Sequence, residues 1–171
     1  MDKRRLAIIV VVAAGILAII NIIQVKQRQD EAARVEESQA LAEKLLAKAS
    51  VTMRLEKAEK QLTSGQPEEG LAVIRQFAAD GDVRALHDLG WIYRQGMGVE
   101  QDYSEALVWF KKAAEVGKAP DSYSAAYYIG EIYQKGLGVP ADQEEAITWL
   151  KVARDHGVEE AEAYLKTLGV E

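Results

Sequence analysis

A chain of 171 residues, 49% apolar and 28% charged, has the length for one ordinary domain and an accessory segment, and it is not a disordered composition. Its formal net charge of -6 offers no basic face to displace counterions from phosphates, which argues against a nucleic-acid partner. Cysteine is absent, and with it thiolate catalysis, thiolate zinc ligation, disulfides and a lipid-bearing cysteine.

The chain opens on a short basic segment, residues 1–5, with Lys3, Arg4 and Arg5. An uncharged run follows from Leu6 to Ile23, whose one clearly polar member is Asn21. As a helix rising about 1.5 Å per residue it would reach roughly 27 Å, about the hydrocarbon thickness of a bilayer. A signal peptide shares the basic start and apolar core, but small-x-small cleavage sites follow such cores closely. Here the nearest candidate, Ala40 to Ala42, lies far downstream, so 6–23 is predicted to be an uncleaved single-pass transmembrane helix. Lys26 and Arg28 after the run are followed by Asp30 and Glu31, so the positive-inside tendency places the amino terminus in the cytoplasm. In a bacterium this means an inner-membrane protein with the bulk of the chain in the periplasm.

Residues 24–64 contain neither Gly nor Pro and are rich in Ala, Glu, Gln, Lys and Arg, all good helix formers. With few apolar positions to bury, residues 24–51 read as a polar stalk, helical or partly disordered. Leu41, Leu45, Leu46, Ala49, Met53 and Leu62 recur at roughly helical spacing, so a packed face begins near residue 50. Lys48, Thr52 and Glu59 interrupt the seam that Leu41, Leu45, Leu55 and Leu62 would form, which disfavours a coiled coil and leaves oligomerisation through stalk or span open. Gly65 then breaks the chain, Pro67 suits a first helical residue, and Glu68 and Glu69 suit the positive end of a helix. Leu71, Ile74 and Phe77 share a face before Gly81, so 52–81 is predicted to be a degenerate helix pair.

The remainder, 82–171, carries an internal repeat and a terminal helix. Leu89 to Gly117, "LGWIYRQGMGVEQDYSEALVWFKKAAEVG", aligns without a gap to Ile129 to Gly157, "IGEIYQKGLGVPADQEEAITWLKVARDHG". Each copy predicts two helices: Val83 to Gln95 and its counterpart Ser124 to Lys135, then Tyr103 to Val116 and its counterpart Gln143 to His156. Asp102 with Glu105, and Asp142 with Glu145, have capping-box spacing. Gly96 and Gly98, like Gly136 and Gly138, lie where a helix ends and the chain reverses. Gly90 and Gly130 fall mid-helix, where Gly costs about 1 kcal/mol against Ala, and close approach of Ala106 and Ala146 is the expected compensation. Phe110, Leu150, Ala113 and Ala153 complete the predicted core, with Trp109 and Trp149 packing between hairpins.

The order Leu-Gly, Tyr, Gly-x-Gly-Val, Asp, Ala, Trp, Lys, Ala, Gly resembles the Sel-one-like repeat, a relative of the tetratricopeptide repeat, over residues 82–157. The resemblance implies an all-α fold: a right-handed α-solenoid of antiparallel helix pairs, preceded here by one transmembrane helix. Gly81 to Gly117 has the usual repeat length, whereas Gly117 to Gly157 is four residues longer, and the surplus is expected in a loop at "KAPDSYSA".

No catalytic residue, cofactor or metal ligand is predicted. The Gly-x-Gly pairs lack a following Lys-Ser or Lys-Thr, a third Gly and a preceding strand. His87 and His156 lie on different copies with no His-Glu-x-x-His arrangement, no Ser-x-x-Lys occurs, and the paired acids sit at helix starts. The resemblance implies instead that the first helix of each pair lines a concave groove for a protein or peptide. That places Arg84, His87, Trp91, Arg94 and Gln95 in one copy, and Ser124, Tyr127, Glu131, Gln134 and Lys135 in the next, on the groove. An exposed Trp91 beside Arg84 and Arg94 would anchor a peptide bearing an acidic group. The expected function is a membrane-anchored adaptor at the bacterial envelope. Its rivals are a structural subunit assembled through span and stalk, and a hydrolase of envelope polymers.

Overall fold

The computed structural model describes the backbone of residues 3–64 and 66–170, and side chains among these from Gly15 on. Among the described residues seven helices follow one another: α1 Lys3–Thr63, α2 Pro67–Ala79, α3 Val83–Gln95, α4 Tyr103–Val116, α5 Pro120–Lys135, α6 Gln143–Asp155 and α7 Glu159–Thr167. The chain divides into two compact units, Met1–Val51 and Thr52–Glu171.

In the first unit the described backbone is continuous helix, and residues 15–50 are exposed throughout. From residue 24 on this accords with a stretch rich in helix formers that has few apolar positions to bury, while Ile16, Leu17, Ile19, Ile20, Ile22 and Ile23 before it are apolar and exposed. Among the described residues no helix is both long and apolar enough to cross a membrane. Half of the span expected at 6–23 falls on residues 6–14, whose side chains lie outside the described set.

The second unit is an all-α helical-repeat solenoid. The last turns of α1 meet α2, where Gly70 lies against Ala58 and Arg54 lies over the Phe77 ring; α3 packs on α4 and α5 on α6, while α2 touches α3, α4 touches α5 and α6 touches α7. Each helix contributes small or aliphatic residues at helical spacing to one buried spine, among them Leu55 and Ala58, Ile74 and Phe77, Leu89 and Ile92, Ala106 and Phe110, Ile129 and Ile132, Ala146 and Leu150, and Ala161 and Leu165. This is the stacking that a repeat unit needs, because one hairpin alone cannot bury its apolar face.

The mid-helix glycines mark where paired helices come closest. A Cβ on Gly90 would stand 2.5 Å from Cδ1 of the Phe110 ring, and one on Gly130 would stand 2.7 Å from Leu150 Cγ. Gly90 thus makes room for an aromatic ring rather than for Ala106, as the sequence had suggested. At Gly130 the carbonyl of Ala146 does crowd the site, 3.1 Å away, alongside Leu150. The degenerate pair keeps the device on its other helix, where Gly70 of α2 lies against the Ala58 carbonyl. The Gly-x-Gly turns also join neighbouring units. Gly98 packs against Pro67 at the start of α2, and Gly138 against Ser104 at the start of α4, whose hydroxyl donates to the Gly138 carbonyl at 2.7 Å.

Two expectations change in detail. The capping boxes are half formed: Asp102 accepts from the amides of Ser104 and Glu105, and Asp142 from those of Glu144 and Glu145. The aspartate amides do not return to the glutamates, because they donate to the Tyr93 and Tyr133 carbonyls at 2.9 and 3.0 Å. Glu105 instead accepts the Trp109 indole N–H at 2.8 Å, and Glu145 that of Trp149 at 3.2 Å. Trp149 also packs on the cluster of Ala126, Leu150, Ala153, Ala161 and Leu165, which spans α5, α6 and α7. The four surplus residues, secondly, largely extend a helix. Pro120 occupies the first turn of α5, with Asp121 beside it, so α5 begins four residues before Ser124 and "PDSYSA" is helical. At the other end, α6 stops at Asp155, and His156 is its C-cap.

Candidate functional site: a cleft along the first helices

On α3, Arg84, His87, Asp88 and Trp91 recur at the spacing of one helix face, flanking the buried positions Ala85, Leu86, Leu89 and Ile92. That face borders a cleft of about 470 Å³ whose other walls are Glu59, Leu62 and Thr63 at the end of α1, Ile74 of α2, Met97 in the turn after α3, and Asp121 and Tyr128 of α5.

At one end of the cleft, Arg84 Nη2 donates to Glu59 Oε1 at 2.7 Å, and Arg84 Nε lies 3.9 Å from Asp88 Oδ2. Burial raises the pKa of the Glu59 carboxyl, and the negative charge of Asp88 adds to the rise, against the opposing pull of Arg84. For Arg84, burial works against the charge, but Glu59 and Asp88 outweigh it and its pKa is raised. His87 Nδ1 stands 3.4 Å from Asp88 Oδ1, and the His87 ring lies 5.8 Å from those of both Phe110 and Tyr128. His87 Nε2 and Asp88 Oδ2 are buried, and among the described residues neither is paired with a donor; the Asp88 carboxylate has that of Glu59 within hydrogen-bonding reach, which adds to the rise at Glu59.

The middle of the cleft is aromatic. The Trp91 and Tyr128 ring centroids are 5.3 Å apart, and Tyr128 stacks on Phe110 at 5.1 Å. Burial pushes the Tyr128 hydroxyl up, partly offset by Arg94, whose guanidinium lies 5.0 Å from the Trp91 ring centre and 5.2 Å from that of Tyr128.

Beyond the aromatics lies a three-membered ion cluster. Arg94 Nη2 donates to Glu131 Oε2 at 2.7 Å, and Lys135 Nζ to Glu131 Oε1 at 2.6 Å. The Glu131 side chain is only 10% exposed. Burial pushes its carboxyl up, but the hydrogen bond from Lys135 and the charges of Arg94 and Lys135 prevail, so its pKa is lowered. The same hydrogen bond raises that of Lys135.

Of the residues expected on the groove, Arg84, His87 and Trp91 line the cleft. Arg94 borders its aromatic wall, and Glu131 and Lys135 sit behind it. Gln95 is exposed and outside the lining, and Ser124 and Gln134 are half-buried outside it as well. Tyr127 packs on the cluster under α7, 6.3 Å from the Tyr164 ring. Trp91 is half-buried rather than exposed, and both arginines beside it already hold carboxylates of this chain. The sequence reading missed Glu59, Asp88, Asp121 and Tyr128. Asp88, four residues from Arg84 on the same face, was within reach of helical spacing; Glu59 was not, because the separation that joins it to Arg84 belongs to the tertiary fold. Asp121 was hidden by starting α5 too late.

The Sel1 repeat family model matches residues 83–118 and 124–158. A crystal structure of a Sel1 repeat protein from Oxalobacter formigenes is 33% identical and superposes with a TM-score of 0.58, covering 68% of this chain and 88% of that one. The chain belongs to the Sel1 repeat family. Its solenoid is also similar to c5321, a protective antigen present in uropathogenic Escherichia coli strains, at 30% identity and a TM-score of 0.59, over 73% of this chain and 28% of that one. Helicobacter pylori cysteine rich protein B, at 19% identity and a TM-score of 0.55 over 69% and 93% of the two chains, shares the fold. No curated protein matches the chain. Sel1 repeat proteins are helical-repeat scaffolds for protein interaction and typically non-catalytic. The match at 83–118 covers α3 and α4 and therefore the cleft wall formed by Arg84, His87, Asp88 and Trp91.

Proposed function

We propose that this Sel1 repeat protein is a non-catalytic adaptor, anchored in the inner membrane of a bacterium by residues 6–23, that binds a protein partner in the cleft along α1, α3 and α5. The cleft carries this reading. It combines an aromatic wall, apolar positions at Leu62, Ile74 and Met97, and a few convergent polar groups, which is the make-up of a recognition site. The uncharged run from Leu6 to Ile23, behind Lys3, Arg4 and Arg5, supports the anchor and the periplasmic placement of the repeats. A photo-crosslinking amino acid at Trp91, in the full chain in native membranes, tests the site: one dominant adduct is expected there and none from the same probe at exposed Val152. Protease added outside the inner membrane should digest the repeats, and full protection would overturn the topology.

A structural subunit is the second reading, favoured by the exposure of Leu41, Leu45, Leu46 and Met53 along α1. Partner capture that survives Trp91→Ala but fails on Leu45→Glu with Leu46→Glu would select it over the cleft.

A further inference from the structure

Within the reading of the cleft as a partner site, on which this inference rests, the chemistry of its walls specifies what enters. We infer that the cleft receives an arginine side chain of a partner polypeptide, seated beside Asp88 and His87 and against the Tyr128 ring.

Three carboxylates, Glu59, Asp88 and Asp121, line the cleft against the single guanidinium of Arg84. That guanidinium is already held by Glu59 at 2.7 Å. The unmatched charge is therefore negative, the opposite of what an acidic peptide requires. Two unsatisfied atoms of the cleft lining point the same way, whereas Arg94 Nε, a donor, belongs to a guanidinium that Glu131 already holds. Asp88 Oδ2 is buried, its carboxylate faces that of Glu59 with no cation bridging the two at Asp88, and Arg84 Nε, at 3.9 Å, is beyond hydrogen-bonding reach. With its proton on Nδ1, facing Asp88 Oδ1, His87 presents a lone pair at the buried Nε2. Two buried acceptors without a donor call for a ligand group rich in N–H and free of acceptors.

Arginine meets this better than lysine. Its planar fork carries five donors, can reach two acceptors at once, and stacks on aromatic faces, whereas an ammonium is a strongly hydrated point charge. The chain already pairs the two groups, since the Arg94 guanidinium lies 5.0 Å from the Trp91 ring centre and 5.2 Å from that of Tyr128. The rest of the 470 Å³ adjoins Leu62, Ile74 and Met97, which offers apolar contact to residues flanking the arginine.

The test uses the full chain in lipid nanodiscs and a displayed library of random peptides of about twelve residues. Selection should enrich peptides sharing one arginine. Exchanging that arginine for glutamine in the synthetic peptide should weaken binding at least about tenfold, with a smaller loss for lysine. Asp88→Asn and, separately, Asp121→Asn should each reduce affinity for the arginine peptide and narrow its margin over the glutamine peptide. Asp121 lies in the first turn of α5, so the second variant answers if the first melts early in far-ultraviolet circular dichroism. Acidic or uncharged binders that Trp91→Ala abolishes would overturn the arginine while leaving the cleft as a peptide site. A selection yielding no binder sensitive to Trp91→Ala would overturn both.

Discussion

The two repeats are the same design carried out twice, with different results on the two sides of the first helix. Inside, Leu89, Gly90 and Ile92 correspond to Ile129, Gly130 and Ile132, and every one is buried. On the groove side nothing is held: His87 corresponds to Tyr127, Asp88 to Tyr128, Trp91 to Glu131, Arg94 to Gln134 and Gln95 to Lys135. The inward positions repeat because each hairpin must present the same surface to its neighbour. The outward ones differ because the groove is assembled from unlike pieces: an acid and an indole from α3, a phenol from α5, and a buried carboxylate on α5 that holds the Arg94 of α3. The cleft is lined where the two copies differ.

The sharpest test of the inward equivalence is at the partner-helix position under each glycine, Phe110 in one copy and Leu150 in the other. Both are fully buried, so Phe110→Ala should cost about 3–5 kcal/mol and Leu150→Ala about 2–5 kcal/mol, read from urea midpoints. The copies should part at the glycines. A methyl on Gly90 meets a rigid ring at 2.5 Å, whereas one on Gly130 meets Leu150 Cγ at 2.7 Å, in a side chain that has other rotamers, and the Ala146 carbonyl at a milder 3.1 Å. Gly90→Ala is therefore expected to destabilise by about 1–3 kcal/mol, and Gly130→Ala by less. In the double variant Gly90→Ala with Phe110→Ala the ring is gone, so the combined loss should fall short of the sum. Simple additivity would mean that the ring is not what excludes a side chain at Gly90.

Outward, the difference between Trp91 and Glu131 predicts that the ion cluster belongs to stability and the indole to binding. Glu131→Gln should destabilise by about 2 kcal/mol, less than removal of one partner from a fully buried pair, because Arg94 and Lys135 can still reach water. Trp91→Phe should leave the urea midpoint nearly unchanged and act on partner capture. The two carboxylates also give opposite pH signatures. The lowered pKa of Glu131 means that its stabilisation is present above the ordinary value of 4.5 and is lost as pH falls through the lowered one. The raised pKa of Glu59 means that the folded chain binds the extra proton, so its contribution is present below 4.5 and is lost as pH rises through the raised value. Urea midpoints from acid to neutral pH should accordingly lose part of their acid-side fall in Glu131→Gln, while Glu59→Gln should remove a decline on the rising side. Matching profiles for the two variants would contradict these environments.

The inward half of the fold was legible in the sequence because gap-free repetition, glycine placement and capping aspartates are local signals. The bounds of α3 and α4 follow from them directly. Local signals also explain the misses. A proline at a helix start and a proline in a loop look alike until Asp121 is seen in the first turn of α5. The spacing of Asp102 and Glu105 fits a capping box equally well whether the aspartate amide turns back to the glutamate or, as here, goes to Tyr93 across the turn. At the cleft, the groove face implied by the family resemblance holds Arg84, His87 and Trp91 among the lining residues. The resemblance could not show that Arg84 meets Glu59 or that Arg94 meets Glu131, pairings 25 and 37 residues apart in sequence. A free basic anchor was therefore expected where the fold has already neutralised both arginines.

The smallest effect separates the copies at a position where their chemistry is identical. Trp109 and Trp149 each donate to a glutamate one turn earlier, at 2.8 Å and 3.2 Å. The first bond is shorter, and Lys112 lies 3.9 Å from the centre of the Trp109 ring. A charge-assisted bond of this kind holds the indole against its helix, so Glu105→Ala should lower the thermal midpoint by the equivalent of about 0.5–1 kcal/mol. Glu145→Ala should cost less, because its bond is longer and Trp149 is also held by packing on the α7 cluster. Equal losses would assign the glutamates to the helix N-terminus alone, where their interaction with the dipole is the same in both copies. A larger loss at Glu105 would show that the repeated glutamate is kept for the indole it seats.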